Sequence, residues 1–301
     1  MRAMTIFQRC LGSLLCAAAL TACGARSSLL DVDTWLEDER KESAGAGGQS
    51  GQGGAPLDPG HDEVCGKALK GPFMVRVPLP DGGSFCIDST EVSNTQYWAF
   101  ISAAVPFSQQ PPICAWNDSY SQGYGLLPAD NLPAVLMDWC DARAYCAWAG
   151  KRLCGKIGGG HIPLGSSPTY NPVDPLKEEW AYACTAGGTR VYPYGDVYEK
   201  TGCVTLDYAN DPAYLDSEIR LRPSREAKKC QGGFPGLYDM GGNADEWVDE
   251  SDKETGASDT TITFGADFTT EAGHTECIGR GSPTRDGGDG GTGIRCCKEG
   301  P

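Results

Sequence analysis

Twelve cysteines fall between Cys65 and Cys297, the last two adjacent at Cys296 and Cys297. A chain so rich in thiols is either cross-linked in an oxidising compartment or built around metal. No Cys-x-x-Cys pair occurs among them, and adjacent cysteines make poor ligand spacing. The pattern reads as a disulfide framework, and spacing alone leaves its connectivity open.

Disulfides require export, and the start of the chain carries such a signal. Arg2 and Arg9 flank the beginning of "CLGSLLCAAAL", an apolar run too short to anchor stably across a bilayer. It ends in Leu20-Thr21-Ala22-Cys23, which resembles a bacterial lipobox. Residues 1–22 are therefore expected to be a lipoprotein signal peptide, with Cys23 the lipidated residue. Gly24 rather than Asp follows, which favours the outer membrane. The expected location is the bacterial cell envelope, with the membrane a partner through the lipid.

Residues 23–63 are poor in large apolar side chains and contain "SAGAGGQSGQGGAPLDPG". Such a segment cannot bury enough surface to offset its ordering entropy and is expected to be a flexible tether. A Gly-rich coil of this length spans roughly 35 Å, enough to hold a domain clear of lipid head groups. Residues 64–301 are long enough for one large core. Many glycines, scattered Trp and Tyr, and few long runs of either period predict a loop-rich α+β domain. The formal net charge of −15 argues against a nucleic-acid-binding face.

Several motifs follow in order. "FCIDSTEVSNTQYWAF" (85–100) reads as a strand leading into a helix, with Asp88 and Thr90 near the boundary. In "LPAVLMDWCDARAYCAWAGKRLC" (132–154), Ala142, Tyr145, Cys146 and Ala149 share a helical face that Gly150 ends. "EEWAYACTAGG" (178–188), "YPYGD", "GLYDMGGNADEW" (236–247) and "GIRCC" complete the series. This ordered set resembles the formylglycine-generating enzyme, or sulfatase-modifying factor, superfamily over about Cys65 to Cys297. The resemblance implies a single disulfide-rich domain with a variant of the C-type-lectin-like fold.

The same resemblance implies disulfides Cys146–Cys296 and Cys184–Cys277. Each would stabilise by roughly 3–5 kcal/mol in the chain-entropy model. Cys65–Cys86 and Cys203–Cys230 are plausible local pairs, while Cys114, Cys140, Cys154 and Cys297 have no assignable order. The resemblance also implies structural calcium on the "DMGGNADE" loop, through the carboxylates of Asp239 and Glu246 and the carbonyls of Gly242 and Ala244. Calcium takes six to eight hard oxygens, carboxylate and carbonyl alike, which suits those residue types. Asn210, in "YAN", matches one ligand of a second calcium site. Asp245 stands where the family has an aromatic residue.

The family's reaction oxidises a sulfatase cysteine on copper held by two thiolates, and copper(I) prefers such soft ligands. Counting back from Cys277 by five and ten lands on Ala272 and Asp267, so copper is not expected. His61, His161 and His274 form no clustered set for the iron used by another branch of the superfamily. A Cys277–His274 nucleophile has little support in so loose a segment. Two classes of function compete. One is a non-catalytic module that binds an unknown protein or glycan, through aromatics such as Trp98, Trp116, Tyr120 and Tyr124. The other is a divergent oxidoreductase of the formylglycine-generating type acting on protein cysteine.

Overall fold

A computed structural model describes residues 64–66, 69–120, 130–164, 173–212 and 218–301. The signal peptide, the whole tether with Cys23 and His61, and Tyr124 lie outside the described residues.

Local chemistry sets the first elements. Strand β1 (Met74–Pro78) alternates buried and exposed side chains towards its end, and it pairs antiparallel with β2 (Ser84–Asp88). Helix α1 (Asn94–Ser102) begins at a capping box: Gln96 N donates to the Ser93 side chain, and Ser93 N donates to that of Gln96. Helix α2 (Trp139–Trp148) is capped by Asp138, whose carboxylate accepts from Asp141 N at 2.8 Å. Gly150 follows its C-cap with φ +77°, a left-handed conformation that favours glycine.

Short elements complete the chain: β3 (Arg152–Leu153), β4 (Ile162–Pro163), α3 (Glu179–Cys184) and α4 (Leu206–Ala209). After them come β5 (Asp245–Ser251), β6 (Thr261–Phe264), β7 (Arg280–Gly281), β8 (Thr292–Gly293) and β9 (Cys296–Glu299). One antiparallel sheet has the order β1-β2-β9-β3. The other runs β4-β5-β6-β7, with β8 also paired to β5. The result is a loop-rich, disulfide-rich α+β domain.

The adjacent cysteines now have a physical reason. Successive side chains of a strand point to opposite faces, and β9 begins with Cys296-Cys297. Cys296 joins the cluster of Tyr97, Phe100, Tyr145 and Trp247 and bridges Cys146 of α2. Cys297 joins the cluster of Phe85, Trp180, Ile262 and Phe264 and bridges Cys154. One dipeptide thus ties both cores to the sheet. The other bridges are Cys65–Cys86, Cys114–Cys140, Cys184–Cys277 and Cys203–Cys230. Every described cysteine is therefore bonded.

Candidate functional site

The glycine loop is a buried polar network. Asp239 and Asn243 have φ of +63° and +74°, conformations that favour glycine and persist where surroundings over-determine them. Asn243 N donates to Val204 O at 2.7 Å, and Asp239 N donates to Cys230 O at 2.8 Å. Beneath Gly242 there is no room for a side chain, since an added Cβ would lie 2.5 Å from the Val204 carbonyl oxygen. The carbonyl of Gly242 accepts from Ala244 N at 3.1 Å.

Glu246 is fully buried, and its partners are nitrogen donors. Arg295 Nε lies 2.7 and 3.0 Å from its two oxygens, and Trp180 Nε1 donates to one of them at 2.6 Å. Arg295 also donates to the carbonyls of Asp88 and Tyr238, both at 2.8 Å. Burial acts to lower the Arg295 pKa, but Glu246, Glu91 and Asp239 outweigh it and raise it. Asp239 accepts from Arg225 N at 2.6 Å, and burial pushes its carboxyl up to about 7. Glu91 accepts from Asn243 Nδ2 and Ser224 Oγ, and burial, then the charge of Asp239, raises it well above the usual range.

This donor set does not fit calcium. The Glu246 oxygens are taken by a guanidinium and an indole N–H, and a cation there would face the charge of Arg295. Asn210 is exposed at the C-cap of α4. Among the described residues, no group of three or more His, Cys, Asp or Glu side chains is disposed to hold a metal ion. The loop's positive charge comes from Arg295, a residue the sequence reading passed over inside "GIRCC".

The positions counted for copper hold no thiol. Ala272 is exposed, Cys277 is bonded to Cys184, and Asp267 accepts from Thr269 and Thr270 at 2.7–3.0 Å. Asp245 Oδ2 accepts from Thr263 at 2.7 Å, and its carboxyl is buried beside Thr292. Burial, with Asp289 and Asp267 adding to it, pushes Asp245 up to about 7. Carboxylates and threonine hydroxyls thus gather here. His274 is exposed, and His161 Nδ1 lies 3.2 Å from Asp249.

A cavity of about 290 Å³ opens beside the same loop that carries Asp289. Trp116 and Leu136 line it with Asp118, Asp138, Asp141 and Asp286. The Cys114–Cys140 bridge ties the Trp116 turn to the first turn of α2, and Leu136 N donates to Asp289 O at 2.9 Å. Of the aromatics named for ligand contact, Trp116 is half-buried in this wall, Trp98 is half-buried elsewhere and Tyr120 belongs to the core. Sequence reasoning missed the aspartates, although Asp138 and Asp141 lie at the i, i+3 spacing of the cap of α2.

A model of the sulfatase-modifying factor enzyme 1-like domain matches residues 75–300. The chain belongs to this family of formylglycine-generating-enzyme-like proteins. It is 30% identical over 148 residues to the inactive C-alpha-formylglycine-generating enzyme 2 of Mus musculus, covering 48% of this chain and 41% of that protein. It is 27% identical over 154 residues to the formylglycine-generating enzyme of Mus musculus, covering 49% and 35% respectively. The match thus spans less than half the length of these relatives. The structure of PvdO from Pseudomonas aeruginosa shares the fold with a TM-score of 0.50 at 18% identity, over 80% of this chain and 98% of that one.

Proposed function

We propose that this protein is a non-catalytic binding module of the family, displayed on the cell envelope through a lipid on Cys23 and presenting its domain to a protein or glycan. One observation carries the reading: all twelve described cysteines are in disulfides, Cys277 included, and Asp267 and Ala272 occupy the counted catalytic positions. Copper oxidation of a thiol needs soft ligands that bring metal, oxygen and substrate together. Carboxylates and hydroxyls are hard ligands. The relative named inactive supports the same direction.

The test is to incubate the copper-loaded full chain with a Cys-x-Pro-x-Arg peptide under oxygen and follow the peptide by mass spectrometry. Intact peptide is expected. Aldehyde formation that vanishes in Cys277→Ser would replace this reading with a divergent oxidoreductase. For the anchor, Cys23→Ala is expected to lose the lipid mass and leave the detergent phase; unchanged partition would remove the lipid from the account.

A further inference from the structure

The buried network around Arg295 also holds an exposed turn in place. Asn243 Oδ1 accepts from Arg222 N at 2.9 Å, and Asn243 Nδ2 donates to Arg222 O at 3.1 Å. Ser224 Oγ donates to Glu91 at 2.9 Å, and Arg225 N donates to Asp239 at 2.6 Å. Pinned in this way, Arg225 keeps a φ of +70°, a left-handed conformation uncommon for any residue but glycine. Such strain persists where the surroundings over-determine it, and it gathers at ligand-binding positions.

What the strained residue displays is a cation. Arg225 is exposed, and its guanidinium lies 4.7 Å from the centre of the Tyr238 ring. The guanidinium donates only to Ser89 Oγ, at 3.5 Å, and forms no ion pair among the described residues. Held by its flat face, it keeps its edge N–H groups forward, as a fork that takes an oxyanion bidentately. Fixing that fork before binding removes part of the ordering cost. The neighbouring sequence adds charge. Five of the chain's 25 Lys and Arg fall at 220, 222, 225, 228 and 229, with Glu226 the one acid between them. Lys228 is exposed on the same turn.

The groups beside the fork say what carries the anion. Gln231 Nε2 donates to the Tyr238 hydroxyl at 3.0 Å, which leaves the Gln231 amide oxygen and the phenolic proton for a ligand. Cations beside a hydroxyl and an amide match the acids and hydroxyls of an acidic sugar, whereas an acidic peptide would use the cations alone. A broad anionic bilayer would bring a chain of net charge −15 within about 8 Å, the Debye length at physiological salt, while a single strand meets the basic turn alone.

We propose that the Arg225 turn binds an acidic polysaccharide. The guanidinium pairs with a carboxylate of one sugar, Lys228 with the next acid along the strand, and Gln231 and Tyr238 with hydroxyls. The inference deepens the binding-module reading and rests on it. Binding is read by titration and oxidation by mass spectrometry, so either reading can fail without the other.

Calorimetric titration of the full chain with oligogalacturonate, a neutral maltooligosaccharide and oligoglutamate, all of equal length, tests it. Oligogalacturonate is expected to bind saturably, the maltooligosaccharide not at all, and oligoglutamate at least about tenfold more weakly. Arg225→Gly should weaken oligogalacturonate binding at least about tenfold, yet leave the melt unchanged or raise it, because glycine relieves the left-handed backbone. Arg225→Lys keeps the charge without the fork and should weaken binding about fivefold; Lys228→Gln should weaken it about threefold. No saturation by oligogalacturonate, equal binding of the maltooligosaccharide, or affinities indifferent to both Arg225→Gly and Lys228→Gln would overturn the proposal. Oligoglutamate binding as tightly as oligogalacturonate would overturn it in favour of an acidic peptide.

Discussion

Two groups of carboxylates in this molecule differ in where their counter-charge comes from. Around the glycine loop, Glu246, Asp239 and Glu91 surround Arg295, a cation supplied by the fold itself and buried with them. In the cavity wall, Asp141 is buried and accepts from Asn117, Asp138 caps α2, and Asp286 and Asp118 are exposed, with no cationic side chain in the described lining. The first arrangement is closed and spends its hydrogen bonds internally. The second is met by the Asn117 amide and by backbone N–H groups at the start of α2. Acidic residues near a glycine turn therefore do not by themselves mark a binding site; the presence or absence of an internal cation separates the two cases.

The largest effect expected from this contrast is on stability. Arg295→Met would leave Glu246 buried and unpaired, and removing one partner of a buried pair costs about 3–5 kcal/mol. Thermal melts of Arg295→Met should show a large drop. A small one would mean that the loop has another source of positive charge, and the contrast would collapse.

A third acidic pair sharpens the comparison. Glu178 and Glu250 are both buried, and each keeps one oxygen without a hydrogen-bond partner among the described residues. Burial pushes Glu178 up to about 7; burial, then the charge of Glu178, pushes Glu250 up to about 8. An acid whose folded pKa lies above its unfolded value holds its proton more tightly in the fold. Its stabilisation is complete below the unfolded value, 4.5 here, and is lost as pH rises through the folded one. Melting temperature should therefore fall between about pH 5 and 8. Glu250→Gln, which keeps the uncharged shape, should flatten that fall and melt higher than wild type at pH 8. An equally steep profile in Glu250→Gln would assign the fall to the other raised acids, Asp239 and Asp245, and not to this pair.

At the cavity rim the expected change in stability is smaller still. Asp286 is exposed and no hydrogen bond engages its carboxylate among the described residues. Asp286→Asn should shift the melt by no more than about half a kcal/mol, the range of ordinary surface substitutions. A large loss of stability would place Asp286 with the buried network instead.

Much of this was legible in the sequence, for identifiable reasons. The helix end at Gly150 follows from local capping chemistry, which acts within a few residues, whereas the start of α1, expected near Asp88 and Thr90, is capped by Ser93. The bridges to Cys184 and Cys146 were implied by resemblance, whereas Cys154–Cys297 and Cys114–Cys140 were not assignable. Strand alternation explains the former only once β9 is known to begin at Cys296. The glycine loop was recognised but its partner was not, because Arg295 lies far along the chain and reaches Glu246 through the β5–β8 and β2–β9 pairings. The cavity was invisible for a similar reason. Its walls come from three separate segments, and Trp116 showed only as an isolated aromatic.

The smallest expected effect concerns calcium, and it tests the contrast from the other side. A ligand bound only by the native state raises stability by RT ln(1 + [L]/Kd), about 2.7 kcal/mol at a hundredfold excess over Kd. If Arg295 already satisfies Glu246, calcium gains no such foothold at Asp239, Gly242, Ala244 and Glu246, or at Asn210. Chelation should leave the melt unchanged, and added calcium should not raise it. Glu246→Gln should lower stability equally with and without chelator, because what it loses is the pairing with Arg295. A melt that drops on chelation, recovers with calcium and loses that response in Glu246→Gln would restore the ligand set implied by the family resemblance. Arg295 would then be a neighbour of the site.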